Sequence, residues 1–121
     1  MGESELQWQV ESRDGARVLV PAGRVDETTA AEFGERLNEE VAAAAVGGER
    51  RVVIELGSIA YMSSRGLRAL TLAQRKAKEH DIVIVLARPN PVMREILAIS
   101  RYDKVFAVVE RTEEGLAGQA G

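Results

Sequence analysis

The sequence has no cysteine, which excludes a disulfide framework, a thiolate zinc site and a thiol nucleophile together. Histidine occurs once, as His80, so no pair of imidazoles is available to hold a metal. Aromatic side chains are scarce, with one Trp, two Tyr and two Phe, leaving little on which nucleic acid bases could stack. Sixteen basic residues against nineteen acidic ones give a net charge of −3, so the chain is no polycation for a phosphate backbone. No apolar run approaches the ~18 residues that a membrane-spanning helix needs. The opening residues Met1–Glu5 are acidic and polar, unlike a secretory signal, and the expectation is a cytoplasmic domain that acts on other proteins. What is present fits one globular domain: 121 residues, 45% of them hydrophobic and 29% charged. A domain of that length buries roughly two thirds of the surface of its unfolded chain and needs no covalent staple.

Hydrophobic periodicity orders the chain. Leu6–Glu11 alternates apolar and polar residues, as a half-buried strand does, and Asp14-Gly15 is a turn signal before a second strand at Arg17–Val20. The two form a hairpin at a sheet edge, with Pro21 near its end. Thr29-Ala30-Ala31-Glu32 has the form of a capping box, Phe33, Leu37, Val41 and Ala45 make an apolar stripe, and Gly47-Gly48 stops the helix. Arg51–Leu56 is a third strand, followed by a short loop and a helix from Ser64 to about His80. Asp81–Ala87 is nearly all apolar, and Ile82–Leu86 is expected at the centre of a parallel sheet, buried on both faces. Asn90 and Pro91 suit the cap and first turn of a helix whose apolar face is Val92, Ile96 and Ile99, flanked by Met93 and Leu97. Val105–Val109 is a last strand, and Thr112–Ala117 a short terminal helix. The order ββαβαβαβ predicts an α/β fold, a mixed and mostly parallel sheet of about five strands with helices packed on it. Residues 1–5 and 117–121 are expected to be flexible ends of a domain spanning 6–116.

Chemistry concentrates in Tyr61-Met62-Ser63-Ser64-Arg65-Gly66-Leu67-Arg68. Two hydroxyls stand where a strand end meets a helix N-terminus, whose free N–H groups and dipole favour an anion, including a phosphate carried on a side chain. Arg65 and Arg68 oppose that dipole, so an anion or an acidic partner is the natural complement. Ser63 or Ser64 as a plain N-cap is the simplest structural role. A serine hydrolase is excluded by the absence of a G-x-S-x-G elbow and by His80 lying about 24 Å along the helix from Ser64. Neither phosphate-loop pattern occurs, and Arg68, Arg75, Lys76 and Lys78 read as a solvated helix face. Asp26, in Gly23-Arg24-Val25-Asp26, precedes the first helix and reads by spacing as a capping or loop carboxylate.

Three segments in register resemble the STAS domains, and within them the bacterial anti-sigma factor antagonists. Gly23-Arg24-Val25-Asp26 with Ala30 and Phe33 is similar to the family's G-x-[LV]-D … A … [FL] segment. Glu55-Leu56 through Tyr61–Leu67 resembles D-L-S … [YF]-[IM]-D-S-S-G-L, and Arg94–Leu97 through Asp103–Phe106 resembles v-x-x-x-L-x-x-[ST]-G-L-x-x-x-[FI]. The likeness runs from about Val18 to Phe106. Ser63 stands where the family often has Asp, Arg65 where it has Ser or a small residue, Glu55 in place of the strand-end Asp, and Arg101 in place of Gly.

The resemblance implies a protein without catalysis of its own. Its partner would be an anti-sigma factor that is also a serine kinase of the GHKL type. Binding would free the sigma factor, and phosphorylation of Ser64, with Ser63 as the alternative acceptor, would break the complex. Asp26, Met62, Ser63, Arg65, Gly66 and Arg68 would form the partner-binding set. No cofactor or metal belongs to the domain, since ATP and Mg would be the kinase's, and a phosphatase would reset the switch. No nucleic acid contact or membrane insertion is expected, and the oligomeric state stays open. The alternative role is an adaptor in a lipid-transport or stressosome-like sensory assembly, with no serine phosphorylated.

Overall fold

The fold begins with a hairpin made by two left-handed residues. In this computed structural model, which describes residues 6–116, Asp14 and Gly15 have φ of 51° and 79°, the geometry of a two-residue turn whose twist matches the flanking strands. The turn joins β1 (Gln7–Arg13) to β2 (Ala16–Val25), paired antiparallel from Gln7↔Ala22 to Arg13↔Ala16. β2 runs well past the expected Val20. Its first half lies parallel to β3 (Arg51–Glu55) and its last residues lie parallel to β4 (Ile59–Met62). Pro21 falls between the last β3 pair, Leu19↔Ile54, and the first β4 pair, Gly23↔Ile59. The Gly23 N–H reaches toward the β4 side, to Ser58 O at 3.0 Å, so the missing N–H of Pro21, two residues earlier, faces a gap in the ladder.

After β2 come α1 (Ala30–Val46), β3, β4, α2 (Ser64–Glu79), β5 (Val83–Ala87) and α3 (Pro91–Ile99). A 3-10 turn (Tyr102–Lys104), β6 (Ala107–Val109) and α4 (Thr112–Leu116) complete the described chain. The sheet order is β1-β2-β3-β5-β6, with β4 extending the far end of β2, and every pairing except β1–β2 is parallel. The architecture is therefore the expected α/β one, with six strands among the described residues rather than about five. The additional strand is β4, which replaces the short loop expected between the third strand and the next helix; four residues are too few to show a period. The expected flexible ends, 1–5 and 117–121, lie outside the described residues.

One face of the sheet carries the main core, where Leu19, Ile54 and Leu86 meet Phe33, Leu37 and Val41 of α1, Leu70 of α2, and Met93 and Leu97 of α3. The other face is smaller: Val18, Val53, Val85 and Ala87 are buried with Leu116 of α4 against them. A Cβ on Gly115 would stand 3.2 Å from both Val53 and Val85, so α4 lies directly on the sheet. Thr112 Oγ1 donates to Glu55 Oε2 at 2.6 Å and anchors that helix to the end of β3. This cover buries β5 on both faces from Ile84 to Ala87, but Val83 at its start is exposed, against the expected run, and the middle strand is β3, with β5 one place toward β6. Ile82 is buried just outside the strand.

Three other local expectations are corrected. Thr29 is the N-cap residue of α1 but makes no side-chain cap bond, because its hydroxyl donates to Arg24 O at 2.7 Å and accepts from Asp26 N at 2.9 Å. On α3 the buried residues are Met93 and Leu97, while Val92 and Ile99 are exposed. β6 starts at Ala107, since the N–H groups of Val105 and Phe106 both turn back to Tyr102 O. The turn that causes this follows Arg101, left-handed at φ 64° where the resembled segment has Gly. The cap of α3 is as expected, with Asn90 Oδ1 accepting from Met93 N at 2.8 Å. The Asn90 Nδ2 lies 2.8 to 3.3 Å from the carbonyl oxygens of Leu56, Gly57 and Ile59, and so ties the β3–β4 connection to α3.

Candidate functional site

The carboxyl ends of β2 and β4 converge with the start of α2. Val25 pairs with Met62, and the Ser63 N–H donates to Val25 O at 2.8 Å, so the chain leaves the sheet and enters the helix without slack. Ser63, not Ser64, is the N-cap. Its backbone is extended (φ −80°, ψ 175°), its Oγ accepts from Gly66 N at 3.4 Å, and the residue is only 7% exposed. Ser64 is the first residue of α2 and is exposed, so its hydroxyl meets solvent beside the free N–H groups of the first turn. The sole histidine, His80, caps the opposite end of this 16-residue helix.

Gly66 explains why the junction is tight. A Cβ there would stand 2.5 Å from Met62 Cγ and 2.6 Å from Val25 Cγ1, closer than any side chain tolerates. Met62 and Gly66 are both buried, so of the expected partner-binding set they shape the surface from beneath. Arg65 and Arg68 are exposed, one turn apart. Arg65 Nε lies 3.1 Å from Glu27 Oε1, a contact between two side chains that are each about two thirds exposed.

Asp26 is spent largely on its own loop. Its Oδ1 accepts from Thr28 Oγ1 at 2.8 Å and from Thr28 N at 3.0 Å, and its Oδ2 lies 3.4 Å from Arg24 Nε. The Thr28 bonds, hydroxyl first, hold the Asp26 carboxyl below the usual carboxylate range. Arg24 in turn lies over the Tyr61 ring, 4.4 Å from its centroid. The structure thus brings Asp26, Ser63, Ser64, Arg65 and Arg68 to one end of the domain. It adds Arg24 and Tyr61, which lie inside the resembled segments but outside the expected partner-binding set, and Glu27, which no segment marked. Adjacency of Glu27 to Asp26 was the one available hint. Among the described residues no group of His, Cys, Asp or Glu gathers to hold a metal ion.

Chemically, this is a surface hydroxyl on a tight strand-to-helix junction, with Arg65 and Arg68 following it at the start of the same helix. It can accept a group or be covered by another protein.

Comparison with known proteins agrees with that geometry. The STAS domain family matches residues 7–115, nearly the whole described chain. A Bordetella bronchiseptica protein named as a candidate anti-sigma factor antagonist, BtrV, is 35% identical over 104 residues, covering 86% of each chain. The crystal structure of an anti-sigma factor antagonist from Mycobacterium paratuberculosis has the same fold, with a TM-score of 0.77, 21% identity, and 96% of this chain and 95% of that one covered. The Bacillus cell fate determinant SpoIIAA, whose structure is known in a phosphorylated form, superposes with a TM-score of 0.65 at 16% identity over 95% of this chain and all of that one. No helix among the described residues is long and apolar enough to cross a membrane. With its sheet order, its strand-to-helix serine junction and this family match in place, the chain belongs to the STAS domain family, among relatives named anti-sigma factor antagonists.

Proposed function

We propose that this chain is an anti-sigma factor antagonist switched by phosphorylation of Ser64. The unphosphorylated domain binds an anti-sigma factor that is also a GHKL-type serine kinase, and the sigma factor is released in the cytoplasm. The kinase, with its own ATP and Mg, then phosphorylates Ser64 and the complex parts; a phosphatase reverses this. The domain itself is substrate and ligand, with no catalysis and no cofactor of its own.

The observation that carries the reading is the contrast between the two serines. Ser64 is exposed at the first position of α2, whereas Ser63 is buried and engaged as the cap. A phosphate adds about −1.5 to −2 charges at neutral pH, and the helix N-terminus with Arg65 beside it would accommodate them without unfolding. In a close-packed interface the same charge would be poorly tolerated. The phosphorylated form known for SpoIIAA supports the same reading by fold likeness.

The test is incubation with the captured anti-sigma partner, ATP and Mg, followed by mass spectrometry. Phosphate is expected on wild type and on Ser63→Ala, and none on Ser64→Ala, which should still bind. Phosphate on Ser63 alone would move the switch by one residue. A confirmed partner with neither serine phosphorylated would hand the chain to the adaptor role.

A further inference from the structure

The helices α1 and α2 lie side by side with opposite charge. On α1 stand Glu32, Glu35, Glu39 and Glu40 against Arg36 alone; on α2 stand Arg65, Arg68, Arg75, Lys76 and Lys78 against Glu79 alone. Glu40 is neutralised locally by Arg17 and Arg36, at 2.7 and 2.8 Å. No such pairing occurs on α2 beyond Arg65: among the described residues, Arg68, Arg75, Lys76 and Lys78 have no ion-pair partner. A row of unpaired cations on a molecule of net charge −3 is a surface whose complement lies elsewhere.

Between the helices runs an open groove of about 580 Å³. Its floor is made of small residues, Ala31, Gly34 and Ala69, where a Cβ on Gly34 would already touch the Ala69 Cβ at 3.4 Å. Leu72 opens onto it with 41% of its surface exposed, Glu35 stands on the α1 wall, and Arg65 and Arg68 form the α2 wall. An apolar floor between walls of opposite charge suits an amphipathic helix laid in the trough. Arg65 is both a wall of the groove and the neighbour of Ser64, so the groove continues the surface where the proposed switch sits.

We infer that this groove receives an amphipathic helix of the anti-sigma partner whose α2-facing edge is acidic, with carboxylates against Arg65 and Arg68 and an apolar side chain against Leu72. The inference rests on the antagonist reading above and extends it to the partner's chemistry. It also supplies a physical route for release. The arginines that hold the partner's carboxylates are those a phosphate on Ser64 reaches first, so modification withdraws them from the partner.

The test measures the affinity of the captured anti-sigma partner for wild type and variants of the full chain by titration calorimetry. Arg68→Glu and Ala31→Trp should each weaken binding at least about tenfold with the melting temperature held, while Arg111→Glu, at the start of α4, should not. Lysine in place of a contacting partner acid should restore binding to Arg68→Glu. Wild-type affinity in both folded groove variants overturns the inference and leaves the antagonist reading standing. No binding by wild type overturns both. A concentration-dependent dimer abolished by Arg68→Glu assigns the groove to a second copy and likewise overturns it.

Discussion

At the residue scale, the two adjacent serines divide the work that the sequence left shared between them. The Oγ of Ser63 satisfies a helix N–H, and the Oγ of Ser64 is outside. Ser63→Ala should therefore cost about 0.5–2 kcal/mol of stability, while Ser64→Ala should cost nearly nothing. Urea denaturation of the two variants checks this, and equal losses would contradict the assignment. The sequence leaves the cap to either serine, because spacing places both hydroxyls within one residue of the helix start and cannot tell Ncap from N1. Asp26 was legible as a loop carboxylate, since an Asp two residues before a Thr invites a local hydrogen bond. Glu27 was not, because its contact with Arg65 joins the loop before α1 to the first turn of α2, far away in sequence. Met62 and Gly66 were picked out by motif likeness, and only coordinates reveal that they act by close approach from below.

At the scale of elements, Glu40 joins α1 to β2 and makes the fold sensitive to acid. Burial pushes its carboxyl up, yet the bonds from Arg17 and Arg36 outweigh burial and hold it below the ordinary 4.5. A carboxyl lowered on folding contributes stability that is present above its unfolded value and lost as pH falls through the folded one. The melting temperature of wild type should therefore drop more steeply below about pH 4.5 than that of Glu40→Gln, which should itself be the less stable protein at neutral pH. Parallel acid slopes would show the pair to be inert. Periodicity gave the elements well and their orientation less well. On α3 the apolar residues form two adjacent stripes, and the pattern alone cannot decide whether Val92–Ile96–Ile99 or Met93–Leu97 faces the sheet. Long-range bonds decide it, with Asn90 fixed to Leu56, Gly57 and Ile59 before the helix begins. β4 was missed for a related reason: its four residues are a strand because the end of β2 needs a partner.

At the scale of the whole molecule, the layering predicts a gradient of protection. β3 has strands on both sides, the helical core on one face and α4 on the other, whereas β6 is a three-residue edge. Amide exchange should be slowest at Val52–Ile54, slow in β5, and much faster at Ala107–Val109. Rapid exchange in β3 would contradict the sheet order. The strand and helix alternation made the α/β class readable in advance, while the second face did not announce itself. Its cover is a five-residue helix whose weight lies in one glycine and one threonine–glutamate bond.

The Asn90 clamp also bears on how the protein ages. An asparagine holding three carbonyl oxygens is a chemical liability, because attack by the next backbone nitrogen converts its amide to a carboxylate, which would repel them. Here the next residue is Pro91, whose nitrogen carries no hydrogen, so cyclisation to the succinimide is closed to it. On prolonged warm incubation at mildly alkaline pH, peptide mapping should find Asn90 intact in wild type and deamidated in Pro91→Gly. The proline that opens α3 thus also serves as a preservative for the joint between the β3–β4 connection and that helix.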